Sequence, residues 1–244
     1  MDDFFERYKG NINLSLIGKE NQEILKRKTV LVIGAGALGS SILTLLARNG
    51  INFGIVDADV VKKENIIRQI LYDEEDIGKK KVEAAKEKLS RINKTIRIDT
   101  YDLYFDETDY EISEKYDVLV GATDNMKTRL IINEASVIFN IPWIYSAVEG
   151  SSAVLKPVIP GKTSCLRCFY KGSISEEKHN VLNTSPFAIA AFSVNIIIKI
   201  LLNREIDDAI YYIDTWTMDF RKIELKRDEN CRICSKRDYE FIKI

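Results

Sequence analysis

The sequence carries no charge excess: 36 Lys and Arg stand against 37 Asp and Glu, a net charge of −1. That balance excludes a global electrostatic drive toward nucleic acid or an anionic membrane. It also lacks a membrane-length apolar run. The most apolar stretch, Phe187 to Leu202, is 16 residues long and holds Asn195 and Lys199. It is too short and too polar for a bilayer, and suits a buried helix. The start, MDDFFERYKG, is acidic and has no signal-peptide apolar region. Internal repeats and low-complexity tracts are absent. These absences predict a cytoplasmic protein with a single domain over residues 1–244, able to bury a substantial core without cross-links. The one histidine, His179, lies in a polar stretch, Lys171 to Ser185, and reads as a solvated loop residue.

Cysteine is scarce and strictly placed. All four residues fall in two pairs, Cys165-Leu-Arg-Cys168 and Cys231-Arg-Ile-Cys234. C-x₂-C spacing lets two thiolates grip one ion, and two such knuckles complete a tetrahedral Cys₄ zinc site. Disulfides are the competing reading, disfavoured inside a cell. Separate redox pairs fit worse, since neither pair opens a helix after a strand. A four-ligand zinc site leaves no open position for catalysis and predicts a structural role.

What is present starts with Val30-Leu31-Val32-Ile33, an apolar run suited to a buried parallel strand. Gly34, Gly36 and Gly39 follow in GxGxxG spacing, then a helical pattern with Leu38, Ile42, Leu45 and Leu46 on one face. A second strand, Phe53 to Val56, delivers Asp57, 18 residues after Gly39. Strand, glycine turn, helix, strand and acid form a nucleotide-binding βαβ fingerprint. The helix N-terminus favours a phosphate and the acid accepts ribose hydroxyls. NAD would satisfy that much. Asp59, Asn65, Arg68 and Gln69 go further, because an enzyme that cleaves ATP between its α- and β-phosphates must neutralise charge growing on those oxygens.

Asp57-Ala-Asp59 with Asn65-Ile-Ile-Arg68-Gln69 resembles the adenylation domain of the ubiquitin-activating-enzyme-like (E1-like) family, in its ThiF, MoeB and HesA group. Gly78-Lys-Lys-Lys81-Val82-Glu83 matches that family's GxxKVE segment, and Thr123-Asp124-Asn125 its TDN motif. The resemblance runs from about Arg7 to Cys234. It implies an α/β fold, Rossmann-like, with a mostly parallel sheet, helices on both faces and an antiparallel C-terminal extension carrying the Cys₄ zinc site. It also implies attack of a C-terminal carboxylate on the α-phosphate of ATP, giving an acyl-adenylate and pyrophosphate. In that reaction Gly34, Gly36 and Gly39 seat the nucleotide, Asp57 binds ribose, Arg68 and Lys81 meet the phosphates, Asn65 orients one of them, and Asp124 holds Mg²⁺. Asp59, Gln69 and Asn125 complete the nucleotide site. Helix capping is the bland alternative for Asp124 and Asn125. Arg129 matches a family arginine near the substrate's tail, with a plain surface arginine as its alternative. The implied cargo is a small ubiquitin-like sulfur-carrier protein, on a homodimeric enzyme that binds neither membrane nor nucleic acid. A short peptide (microcin-type) or a tRNA-base dehydratase is equally allowed, though neutral charge argues against tRNA. An NAD-dependent oxidoreductase or a silent scaffold would leave Asn65, Arg68, Lys81 and Asp124 unexplained.

The same resemblance makes residues 1–28 a helical segment that packs across a dimer and lends an arginine to the partner's site. Here Gly10 falls where that arginine would be, leaving Arg7 or Lys9 as substitutes. Residues 171–185 become a crossover loop over the substrate tail, without the cysteine that some relatives carry there. Lys80 to Asn93 predicts an amphipathic helix. Further strands are expected at Thr95 to Asp99, Asp117 to Gly121, Pro142 to Ala147 and Val154 to Ile159, the last held to an edge or strand end by Pro157 and Pro160. The Asp106, Glu107, Asp109 run reads as solvated loop or helix surface. Ser185 is expected to cap a helix with Pro186 at its first position, and Ala209 to Thr217 with Phe220 to Lys226 to form a hairpin.

Overall fold

The computed structural model describes residues 3–172 and 180–243. Buried apolar strands β1 (Thr29–Ile33), β2 (Asn52–Val56) and β4 (Val118–Gly121) lie side by side, with the more polar β3 (Ile98–Tyr101) at the sheet edge. With β5 (Trp143–Glu149) they pair in parallel, in the order β3-β2-β1-β4-β5. The chain then turns back on itself. β6 (Ser152–Val158), β7 (Ala209–Asp214) and β8 (Asp219–Glu224) extend the same sheet antiparallel, giving eight strands.

Two cores follow from helices covering both faces. On one lie α4 (Ala37–Asn49), α5 (Lys81–Ile92) and α8 (Ser185–Leu201), through Ile42, Leu46, Leu89, Ile189 and Ile197. On the other, α6 (Met126–Phe139) and the short α7 (Leu166–Phe169) pack with Trp143, Cys165 and Cys231. The expected α/β architecture with its antiparallel extension is present. Among the described residues no helix is long and apolar enough to cross a membrane.

Several local expectations shift. The N-terminal segment is three short helices, α1 (Asp3–Arg7), α2 (Lys9–Ile12) and α3 (Gly18–Leu25). β3 starts at Ile98 and not at Thr95, because the Asn93 side chain accepts hydrogen bonds from both the Thr95 amide and hydroxyl and holds Thr95 in a turn. Of the two alternatives for β6, the strand end holds: it lies inside the sheet, with Pro157 at its end. Pro157 is tolerated because pairing with β7 ends at Leu155, two residues earlier. Thr184, and not Ser185, is the cap position of α8. The Ser185 hydroxyl instead bonds Thr215 at 2.8 Å. His179 and residues 173–178 of the expected crossover loop lie outside the described residues.

Candidate active site

Parallel strands present their carboxyl ends at one edge of the sheet, and the chain leaves β1 in opposite directions for β2 and β4. Ligands bind in the crevice at such a switch point. A cleft of about 860 Å³ opens there.

The three glycines of the turn divide the work. A Cβ on Gly39 would fall 1.8 Å from the Gly34 carbonyl oxygen, and one on Gly34 would fall 2.6 Å from that of Ala122. Gly34 also has φ +101°, in the left-handed region. Both glycines serve close packing of α4 against the strands. Gly36 alone faces open space, with Gln69 Nε2 3.9 Å from its Cβ position. It is the cap residue of α4, with no side chain on the helix's first N–H groups, and Gly36, Ala37 and Leu38 line the cleft. An uncapped helix N-terminus of this kind is a ready anion seat.

Asp57 sits beside it. One of its oxygens accepts from the Ala35 amide at 2.7 Å and the other from the Asp59 amide at 2.8 Å. Burial pushes its carboxyl up, against Lys81 and the two amides, which pull it down. Lys81, only 5% exposed, lies 2.8 Å from Asp59 and 3.7 Å from Asp57. Burial opposes the Asp59 charge, but the Lys81 hydrogen bond and charge hold that carboxyl below its ordinary value. Lys81, expected at the phosphates, thus stands locked to the two acids. Tyr72, which no motif singled out, donates to the carbonyls of Ala35 at 3.0 Å and Lys81 at 3.3 Å, stapling the glycine turn to α5.

The third wall comes from a 3₁₀ turn at Lys63–Asn65 and the residues after it. Asn65 is buried, and its Oδ1 accepts from the Lys62 amide at 3.0 Å. Arg68 donates to the Glu64 carbonyl at 2.9 Å and lines the cleft. Gln69 is 4% exposed, and its Oε1 has no hydrogen-bond partner among the described residues. A buried unmet acceptor costs about 1–3 kcal/mol, and a ligand donor at this wall would relieve it.

Across the cleft, Asn125 caps α6, accepting from the Thr128 amide at 2.8 Å. The capping alternative is therefore observed for Asn125. Asp124 stays exposed on the cleft at the carboxyl end of β4. Arg129 is half-buried, donates to the Thr123 carbonyl at 2.7 Å, and lies 5.6 Å from the centre of the Tyr145 ring. No carboxylate pairs with it among the described residues, its Nε is unpartnered, and burial works against its charge. A plain surface arginine it is not.

Residues 3–28 do not reach this cleft. Tyr8 is buried with its hydroxyl accepting from Asn93 Nδ2 at 2.7 Å, and a Cβ on Gly50 would touch that hydroxyl. Asn11 and Gln22 bond Asn49. The segment therefore covers the C-terminal end of α4, about 20 Å from its N-terminus at 1.5 Å per residue. Arg7 and Lys9 cannot enter their own chain's site.

The four cysteines form a cluster apart from the cleft. Their sulfurs all lie within 4.8 Å of one another. The Cys165–Cys231 and Cys168–Cys234 sulfurs are 3.6 and 3.5 Å apart. Four sulfurs about 2.3 Å from one tetrahedral ion stand about 3.8 Å apart, whereas a disulfide needs about 2.05 Å. The donor set fits a metal ion. Hydrogen bonding from Cys165 and Cys168 holds the Cys231 and Cys234 thiols below their usual range. Asn133 and Glu134 on α6 clamp this region, accepting from the amides of Leu166, Glu240, Phe241 and Ile242. Neither carried a sequence signal, since both read as ordinary helix residues.

The model of the ThiF family matches residues 8–233. The sulfur carrier protein ThiS adenylyltransferase of Bacillus subtilis is 32% identical over 249 residues, covering 97% of this chain and 73% of that protein. The sulfur carrier protein adenylyltransferase of Thermus thermophilus is 31% identical, covering 94% and 90%. Among solved structures, that of E. coli MccB with ATP is similar with a TM-score of 0.83 at 24% identity, covering 96% of this chain and 75% of that one. At that identity the likeness is one of fold.

Proposed function

The chain belongs to the ThiF family, and on that premise we propose that it is an ATP-dependent adenylyltransferase. Its substrate would be the C-terminal carboxylate of a small ubiquitin-like sulfur-carrier protein. The observation that carries this reading is one cleft joining two unlike anion seats. The uncapped α4 N-terminus with Asp57 and Asp59 suits a nucleotide, and the half-buried Arg129, its Nε unpartnered, suits a carboxylate. The two named relatives, both sulfur-carrier adenylyltransferases, support it.

In this reading Gly36 and the first N–H groups of α4 would bind phosphate oxygens and Asp57 the ribose, while Gly34 and Gly39 hold the turn in shape. Arg68 would neutralise charge on the phosphates as the bond to the leaving pyrophosphate lengthens. Asn65 and Gln69 would offer amide groups to the same ligand. Lys81 would swing from Asp59 or hold both acids in place. Asp124, exposed at the strand end, would take the Mg²⁺ that accompanies ATP, which offsets leaving-group charge. Arg129 would orient the attacking carboxylate, and no general base is needed because a carboxylate is ionised at neutral pH. Cys165, Cys168, Cys231 and Cys234 would hold one zinc ion as a structural tie. A homodimer is part of the proposal: with Arg7 and Lys9 fixed at the far end of α4, either could serve only a second copy's site.

A short peptide as acceptor is the second reading, consistent with the fold shared with MccB, which was solved with MccA. Calorimetric titration with MgATP and, separately, NAD tests the nucleotide. ATP binding without NAD binding is expected, and NAD binding alone would sink the proposal.

A further inference from the structure

Beyond the motif residues, the cleft carries an aromatic side chain to which nothing so far gives a task. Tyr104 is 72% exposed, yet it is not a loose surface tyrosine. Its hydroxyl donates to Asp59 Oδ1 at 3.1 Å, while Lys81 holds the other Asp59 oxygen at 2.8 Å. The backbone on either side is pinned. The Asp57 amide donates to the Tyr101 carbonyl at 3.2 Å, and the Thr128 hydroxyl donates to the carbonyl of buried Phe105 at 3.3 Å. The ring is thus held at the cleft with an open face, among lining residues Leu103 and Phe105.

Direction along the cleft tells what that face meets. Phosphates belong at the N-terminus of α4, beside β1, and the ribose at the acid ending β2. A nucleotide laid in that order continues past β2 toward β3, whose carboxyl end leads directly into Leu103-Tyr104-Phe105. A planar, open aromatic face there is a stacking surface, and a purine is the part of the nucleotide that reaches it.

We propose that Tyr104 is the residue against which the nucleotide base stacks. This assignment rests on the adenylyltransferase reading. It makes Tyr104 a binding and specificity residue for a purine nucleotide, acting on the base and not on the phosphates.

The test is calorimetric titration of ATP, AMP and inorganic pyrophosphate against wild type, Tyr104→Ala and Tyr104→Phe. Losing a base–aromatic stack should weaken both ATP and AMP roughly 5- to 100-fold in Tyr104→Ala. Pyrophosphate binding should stay unchanged in that variant, and Tyr104→Phe should bind ATP and AMP within about twofold of wild type, since it keeps the ring. Wild-type affinity for ATP and AMP in Tyr104→Ala would overturn the inference. So would a parallel loss of pyrophosphate binding, which would mean that the cleft itself had changed. A wild-type protein that binds neither ATP nor AMP would instead refute the underlying reading.

Discussion

Arg129 is the residue whose environment is hardest to explain without a ligand. A half-buried guanidinium with a buried, unpartnered Nε is costly to leave so. Here its surroundings are a carbonyl, an aromatic face and the cleft. Arg129→Ala should leave ATP affinity within about twofold, while raising the carrier concentration needed for half-maximal exchange at least tenfold, the loss of one charged hydrogen bond being worth about 1.5–3 kcal/mol. Steady-state exchange assays at varied carrier concentration measure this, and equal loss of ATP affinity would argue against the tail assignment. At this scale the sequence was only partly legible. Asp57, Asp59, Asn65, Arg68, Lys81 and Asp124 do converge on one cleft. Which partners they choose was not legible. Lys81 was expected at phosphates and is found on Asp59, since a burial this deep demands a counter-charge. Tyr72 and Tyr104 carry no motif at all, and only the fold brings them to Ala35 and Asp59.

Elements show a second division. Strand and helix order was readable from apolar runs and the glycine turn, while the start of β3 moved where the Asn93 side chain captured the Thr95 backbone. The glycine turn gives a sharp test. Gly34→Ala should destabilise the protein by roughly 1–3 kcal/mol through its left-handed backbone and the Ala122 contact. Gly36→Ala, with φ −76° and only Gln69 near, should unfold like wild type in urea yet bind ATP more weakly. If both variants lose stability alike, the division of labour within the turn is wrong. The two knuckles make another element-scale claim. α6 carries Asn125, Asp124's neighbour and Arg129 at one end, and Asn133 and Glu134 against the cysteine region further along. Metal analysis should therefore find about one zinc per chain, since structural sites bind tightly. Cys231→Ser should lower the thermal midpoint by several degrees. A folded wild-type protein without metal would contradict the site.

For the whole molecule, the sheet order 3-2-1-4-5 with its antiparallel continuation places the nucleotide end of the cleft under the parallel half and its other wall under β5, β6 and β7. The fold class was legible because a βαβ fingerprint constrains topology strongly. The two prolines left β6 open between an edge and a strand end, and the strand-end alternative holds, with Pro157 next to last in β6 and Pro160 beyond it. The joined cleft also leads to the central claim, that ATP and a carrier's C-terminus meet in one chamber and exchange pyrophosphate for a carboxylate. Pyrophosphate-to-ATP isotope exchange tests this most directly, run with a ThiS-type carrier whose C-terminus is intact and again with its last two residues removed. The account predicts exchange with the intact carrier, its loss with the truncated one, and a fall of about 100-fold in Arg68→Ala. No exchange with an intact carrier or peptide, or exchange that ignores the carrier's C-terminus, would contradict it.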